Sequence, residues 1–243
     1  MFMHPAFSPA ICSEEELFKL ADRNKNTYFS NYYGERDIKR QQFISAISHL
    51  KIDLNNKVVL DLGPGTGDSL EVAKEMGAAR CMAVDSDPYF VKLQLLRGHQ
   101  AYLKDYTRKA ISGGYFPPEA HGADFIWCKG ALNCVDVNKG RSIGTRMAKD
   151  IIKRFNFASW VREMKSLLNA EGSILFLPAV ERKDKQIVDP DYPIKTYYWI
   201  EDEEAWDRSY FATILESEGF KQIKDIPHFN QPLAFPTAYI YVD

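Results

Sequence analysis

The chain has 243 residues, 45% of them hydrophobic, and a formal net charge of -2. That length suffices for one large α/β domain with a filled core, and the near-neutral balance excludes capture of nucleic acid through a global basic field. No stretch is apolar for long enough to span a membrane, no basic-then-apolar leader opens the chain, and the four cysteines (Cys12, Cys81, Cys128, Cys134) form no C-x-x-C pair, so a reduced, cytoplasmic protein is expected.

Residues 1–12 carry Pro5 and Pro9 and read as an irregular arm. Ser13-Glu14-Glu15-Glu16 has the form of a capping box and starts a helix that runs to about Asp22. A dense aromatic cluster follows, with Tyr28, Tyr32 and Tyr33. A second helix is expected from Arg36 to Leu50, with Ile38, Phe43, Ile44 and Ile47 as its apolar stripe.

Val58-Val59-Leu60-Asp61-Leu62 is a short, β-branched apolar run that reads as a buried strand. Gly63, Gly65 and Gly67 then let the chain turn sharply and let a ligand approach bare backbone. Asp68 or Ser69 is placed to cap the next helix, and Gly77 to stop it. A dinucleotide site would need G-x-G-x-x-G, but Asp68 stands where the third glycine belongs. Asp61 also brings a carboxylate to the strand end. A carboxylate there repels diphosphate and suits an ammonium or sulfonium centre. A second buried strand, Arg80 to Val84, ends in Asp85, at the spacing where nucleotide folds place the acceptor for ribose hydroxyls. Asp87 and Pro88 begin another helix, and Val91, Leu95, Gly98, Tyr102 and Tyr106 stand near helical spacing, so it is expected to run to about Tyr106 despite Gly98.

The D-x-G-x-G-x-G pattern from Asp61 to Gly67, followed by Val84-Asp85-Ser86-Asp87-Pro88, resembles the class I S-adenosylmethionine (SAM) methyltransferases. The resemblance extends over roughly residues 55–242. It takes in Ala123 to Cys128 as the fourth strand, an apolar fifth strand from Ser173 to Leu177, a helix from Ser209 to Glu218 stopped by Gly219, Phe220 to Ile223 as the sixth strand, and Ala238 to Val242 as the seventh. It implies an α/β fold: a seven-stranded, mostly parallel, doubly wound sheet with helices on both faces. Residues 1–54 would be an arm and helical lid, and 55–243 the SAM-binding domain.

For the cofactor site the resemblance implies Asp61, Gly63, Gly65, Gly67, Asp85 and Ser86, with Lys129 at the end of the fourth strand. The third strand has two registers. Ala101 to Lys104 would bring Asp105 to the adenine. Thr107 to Ile111 would bring Ser112 and the Gly113 backbone there, and the family's spacing favours this second register. A lid would use Tyr28, Tyr32, Tyr33, Arg36 and Arg40. Asn133 faces the reacting methyl in this scheme, and Arg146 belongs to a basic insertion near 138–154 that would receive an anionic acceptor.

The expected activity is methyl transfer from SAM, leaving S-adenosylhomocysteine (SAH), to a small-molecule or sugar-like acceptor, with oxygen favoured over nitrogen. Transfer to RNA or protein is one alternative. A SAM-fold subunit without chemistry is another. No cluster of metal-ligand spacing stands out, and no histidine falls in an assignable motif, so the catalytic base is left open.

Overall fold

The computed structural model describes residues 4–26, 29, 36–106, 113–129, 157–177, 208–223, 226 and 238–243. Seven strands form one sheet in the order β3-β2-β1-β4-β5-β7-β6. They are β1 (Val58–Leu62), β2 (Arg80–Asp85), β3 (Gln100–Leu103), β4 (Ala123–Lys129), β5 (Leu168–Leu177), β6 (Lys221–Ile223) and β7 (Ala238–Val242). Pairing is parallel from β3 across to β5, whereas β7 runs antiparallel to both β5 and β6. The strand order reverses between β1 and β4. A crevice opens at such a switch point, outside the carboxyl ends of the strands.

The described helices are α1 (Glu14–Arg23), α2 (Arg36–Leu50), α3 (Asp68–Glu75), α4 (Pro88–Leu96), α5 (Phe157–Lys165) and α6 (Arg208–Ser217). The period-2 alternation of strand side chains assigns them to two layers. Leu60, Leu62, Met82, Val84, Ile126 and Cys128 point into a core closed by α5, with Phe157, Trp160 and Met164. Val59, Cys81, Ala83, Phe125 and Trp127 point the other way, onto Phe43, Ala46 and Ile47 of α2 and Leu70, Val72 and Ala73 of α3. Asp61, Asp85 and Lys129 share the parity of this second set. All three therefore belong to the α2–α3 face at the carboxyl edge of the sheet.

Helix α2 is held mainly by burial. Covering Phe43 and Ile47 contributes about 3–6 kcal/mol, against about 0–1 kcal/mol for the exposed ion pair between Arg40 of this helix and Glu75 of α3. A third cluster joins the N-terminal arm to α4. It consists of Ala6, Ile11, Leu17, Ala21 and Phe29 packed on Tyr89, Phe90 and Leu93. Ser13 and Glu16 form the expected capping box at the start of α1, and Asp87 with Pro88 caps α4 as expected. No described helix is long and apolar enough to cross a membrane.

Three local expectations are corrected. The third strand is Gln100–Leu103, paired from Met82↔Gln100 to Asp85↔Leu103, so the register formed is the one that ends before Asp105, while Thr107 to Ile111 lie outside the described residues. The reason is local: α4 stops at Leu96, and Gly98 at φ 79° turns the chain straight back into the sheet. The helix from Pro88 therefore does not continue to Tyr106. Helix α3 is N-capped by Gly67 rather than by Asp68 or Ser69, because both side chains are engaged elsewhere.

Candidate functional site

The turn between β1 and α3 lies over the carboxyl ends of β1 and β2. Gly63, Gly65 and Gly67 all take positive φ, at 74°, 54° and 69°. Gly63 N–H donates to Val84 O at 2.9 Å, and Gly65 N–H donates to Asp85 Oδ2 at 3.3 Å, so β2 holds the turn from below. The other Asp85 oxygen accepts from Asp87 N–H at 2.8 Å. Ser86, between the two aspartates, is exposed. Asp61 is buried and accepts a hydrogen bond from Ser69 Oγ at the first turn of α3. Lys129 ends β4 on the same face, and its Nζ donates to Gln42 Oε1 of α2.

Two buried carboxyls thus sit side by side with one lysine at the strand edge. Burial pushes Asp61 up to about 7; the Ser69 hydrogen bond and the Lys129 charge oppose the rise, and the Asp85 charge adds to it. Burial likewise pushes Asp85 up to about 7, against the backbone hydrogen bonds it accepts. An unfolded aspartate titrates near 3.8, so the folded chain binds more protons between about pH 4 and 7. The stability these acids contribute is fullest below that window and is lost as pH rises through about 7. The protein without ligand should therefore melt at a lower temperature at pH 8 than at pH 6, and Asp61→Asn should flatten the difference. A melting temperature that climbs from pH 6 to pH 8 would contradict the burial of these acids.

Gly113 is exposed and begins a loop in which Phe116 N–H donates to Glu163 of α5, at 3.0 Å. Tyr28, Tyr32, Tyr33, Ser112, Asn133, Arg146 and the basic stretch 138–154 lie outside the described residues. Arg36 Nε is 2.7 Å from Asp68 Oδ1, and Arg40 is 2.6 Å from Glu75, so both arginines bind α2 to α3. Burial raises the Cys81 thiol to about 11 and the Cys128 thiol well above the ordinary range, which marks both as inert core thiols. Among the described residues no three His, Cys, Asp or Glu side chains are grouped to hold a metal ion.

Two residues escaped the sequence reading. Gln94 of α4 is fully buried and its Nε2 donates to Gly65 O at 3.2 Å. Arg97, just past α4, donates to Thr66 O. A glutamine among Phe90, Val91 and Leu93 is a lone polar residue on a buried face, and that was the available signal. Its partner is a backbone carbonyl 29 positions away, which no local pattern reveals.

No family model matches the sequence, and no curated protein matches it. Solved structures do. A chain from the complex between the Haloferax volcanii Trm112 methyltransferase activator and a protein described as a methyltransferase superposes with a TM-score of 0.52 at 14% identity, over 89% of this chain and 94% of that one. Haemonchus contortus phosphoethanolamine N-methyltransferase 1, solved with phosphoethanolamine and SAH, superposes with a TM-score of 0.52 at 12% identity, over 92% of this chain. The match spans 49% of that longer chain. The chain has the class I methyltransferase fold. In this fold the glycine turn, Asp61 and Asp85 stand together at the switch point of the methyltransferase sheet.

Proposed function

We propose that the protein is a SAM-dependent methyltransferase acting on a small-molecule or sugar-like acceptor, with oxygen as the favoured accepting atom. The observation that carries the reading is the Gly65–Asp85 contact, which joins the glycine turn to the acid at the end of β2. The donor set suits the cofactor. Asp85 offers carboxylate oxygens to vicinal ribose hydroxyls. Gly63, Gly65 and Gly67 let the cofactor approach the backbone closely, and Asp61 and Asp85 favour a cation over a diphosphate.

Bound SAM supplies an electrophilic methyl group on a sulfonium. The chain's own task is to align the acceptor with that group and exclude water. Lys129, beside Asp61 at the end of β4, is assigned to cofactor or acceptor contact. The cations of 138–154 are assigned to an anionic acceptor, and Tyr28, Tyr32, Tyr33 and Asn133 to the acceptor side. The buried thiols Cys81 and Cys128 are in keeping with a cytoplasmic setting.

Calorimetric titration with SAH, with NAD as control, tests this reading. Micromolar binding of SAH alone is expected. Asp85 titrates near 7, and ribose hydroxyls favour its charged form, so SAH should release a fraction of a proton near pH 7. The binding enthalpy should therefore differ between phosphate and Tris buffers. NAD binding in place of SAH would refute the cofactor assignment. Methyl transfer to phosphorylated, sugar or phenolic acceptors then tests the acceptor class. Activity confined to RNA or protein would move the reading to its alternative.

A further inference from the structure

Helix α4 and its C-cap residue supply two side chains that hold consecutive carbonyls of the glycine turn. Gln94 Nε2 takes Gly65 O at 3.2 Å, and Arg97 Nη1 takes Thr66 O. Residues three apart lie on one side of a helical turn, so a single surface presents both donors. Trans peptides put C=O and N–H on opposite sides. Pinning the two carbonyls toward α4 therefore aims the Thr66 and Gly67 N–H groups away from it, and Gly67 N–H closes the turn onto Pro64 O at 2.9 Å. The Gln94 Oε1 is buried with no hydrogen-bond partner among the described residues. A leucine would fill that space without leaving an acceptor unmet, so the glutamine's position is explained by its bond to Gly65.

The guanidinium of Arg97 reaches further. Its Nε and Nη2 meet Glu14 Oε1 and Oε2 at 2.8 and 3.1 Å, a two-pronged pair, with the arginine side chain 5% exposed. Glu14 is the first residue of α1. That helix docks on α4 through Leu17 and Ala21, and Asn24 Nδ2 donates to Tyr89 Oη at 2.6 Å. One cation thus touches both the N-terminal arm and the turn. Undocking the arm removes the carboxylate that holds Arg97 in place under Thr66.

We propose that Gln94 and Arg97 are positioning residues of the glycine turn, and that Glu14 makes docking of the N-terminal arm and binding of the cofactor mutually reinforcing. A turn of three glycines has much conformational freedom to lose on binding, and the clamp removes part of it beforehand. The coupling is reciprocal, so the cofactor must also steady the arm. This inference rests on the reading of the glycine turn as the SAM site.

The test uses the full chain, SAH calorimetry and hydrogen exchange. Glu14→Gln should weaken SAH binding by roughly fivefold and Arg97→Lys by roughly tenfold or more. Glu15→Gln, which breaks only the exposed pair with Lys19, should leave it unchanged. Saturating SAH should slow amide exchange in α1 of the wild type, and slow it less in Glu14→Gln. A general loss of stability would not remove that SAH-dependent protection selectively. Should Arg97→Lys fail to fold, Glu14→Gln decides. If wild type binds SAH and Glu14→Gln binds it within twofold, or if SAH leaves α1 exchange unaltered, the coupling is refuted and the site assignment stands. If wild type does not bind SAH, both are refuted.

Discussion

Asp85→Asn should lower affinity for SAH by roughly 10- to 100-fold, the loss that follows when a charge-assisted hydrogen bond worth about 1.5–3 kcal/mol is removed. The same change should move the melting temperature at pH 8 very little. Removing a buried charge relieves its desolvation, and this opposes the loss of the longer backbone bond from Gly65 N–H, at 3.3 Å. The shorter bond from Asp87 N–H, at 2.8 Å, is kept by the amide oxygen. Titration and thermal melts on the same preparation separate the two effects. If the variant binds SAH within twofold of wild type, Asp85 is not the ribose acceptor.

Gly67→Ala should be strongly destabilising. At φ 69° an L residue is strained by about 1–2 kcal/mol. A Cβ there would also stand 2.1 Å from Gln94 Oε1. The amide belongs to a flexible side chain, but it is fully buried and bonded to Gly65, so it must break that bond to move. Overpacking of this kind adds about 1–3 kcal/mol. A total of about 2–5 kcal/mol corresponds to a fall of roughly 4–20 °C for a domain of this size. Gly98→Ala is the control. Its φ is 79°, and a Cβ there meets nothing within 4 Å, so only the conformational part is lost. Equal melting temperatures for the two variants would show that Gln94 does not press on the turn. Adding Gln94→Ala to Gly67→Ala should recover part of the loss.

What could be read from the sequence was what is encoded locally. β1 announces itself as an apolar, β-branched run and β2 as an apolar run that ends in an acid, and the structure places them at Val58–Leu62 and Arg80–Asp85. The Ser13 box and the Asp87–Pro88 start are likewise local and formed as expected. β3 was harder to read. It is four residues long at the edge of the sheet and none of its side chains is fully buried, so it carries no hydrophobic alternation to fix its register. The decisive signal was Gly98, which reads as tolerable inside a helix until its positive φ is known. Within the site, Asp61, Asp85 and the glycines follow from a short motif. Gln94 and Arg97 do not, because their partners are carbonyls of a distant turn and carbonyls are common to every residue. Ser69 is intermediate: it was legible as a cap but bonds Asp61 instead, since Gly67 already serves as the N-cap.

The antiparallel β7 has a consequence for how the chain is made. β6 reaches the sheet only through β7, which lies between it and β5. During synthesis β6 emerges first and has no strand to pair with until Ala238–Val242 has followed. Until then Ile174, Leu175 and Phe176, which pair with Tyr241, Ile240 and Tyr239, form an open apolar edge. Such an edge is a template for pairing between nascent chains. The glycine turn lies among β3, β2, β1 and β4, whose pairings with one another and with β5 involve neither β6 nor β7.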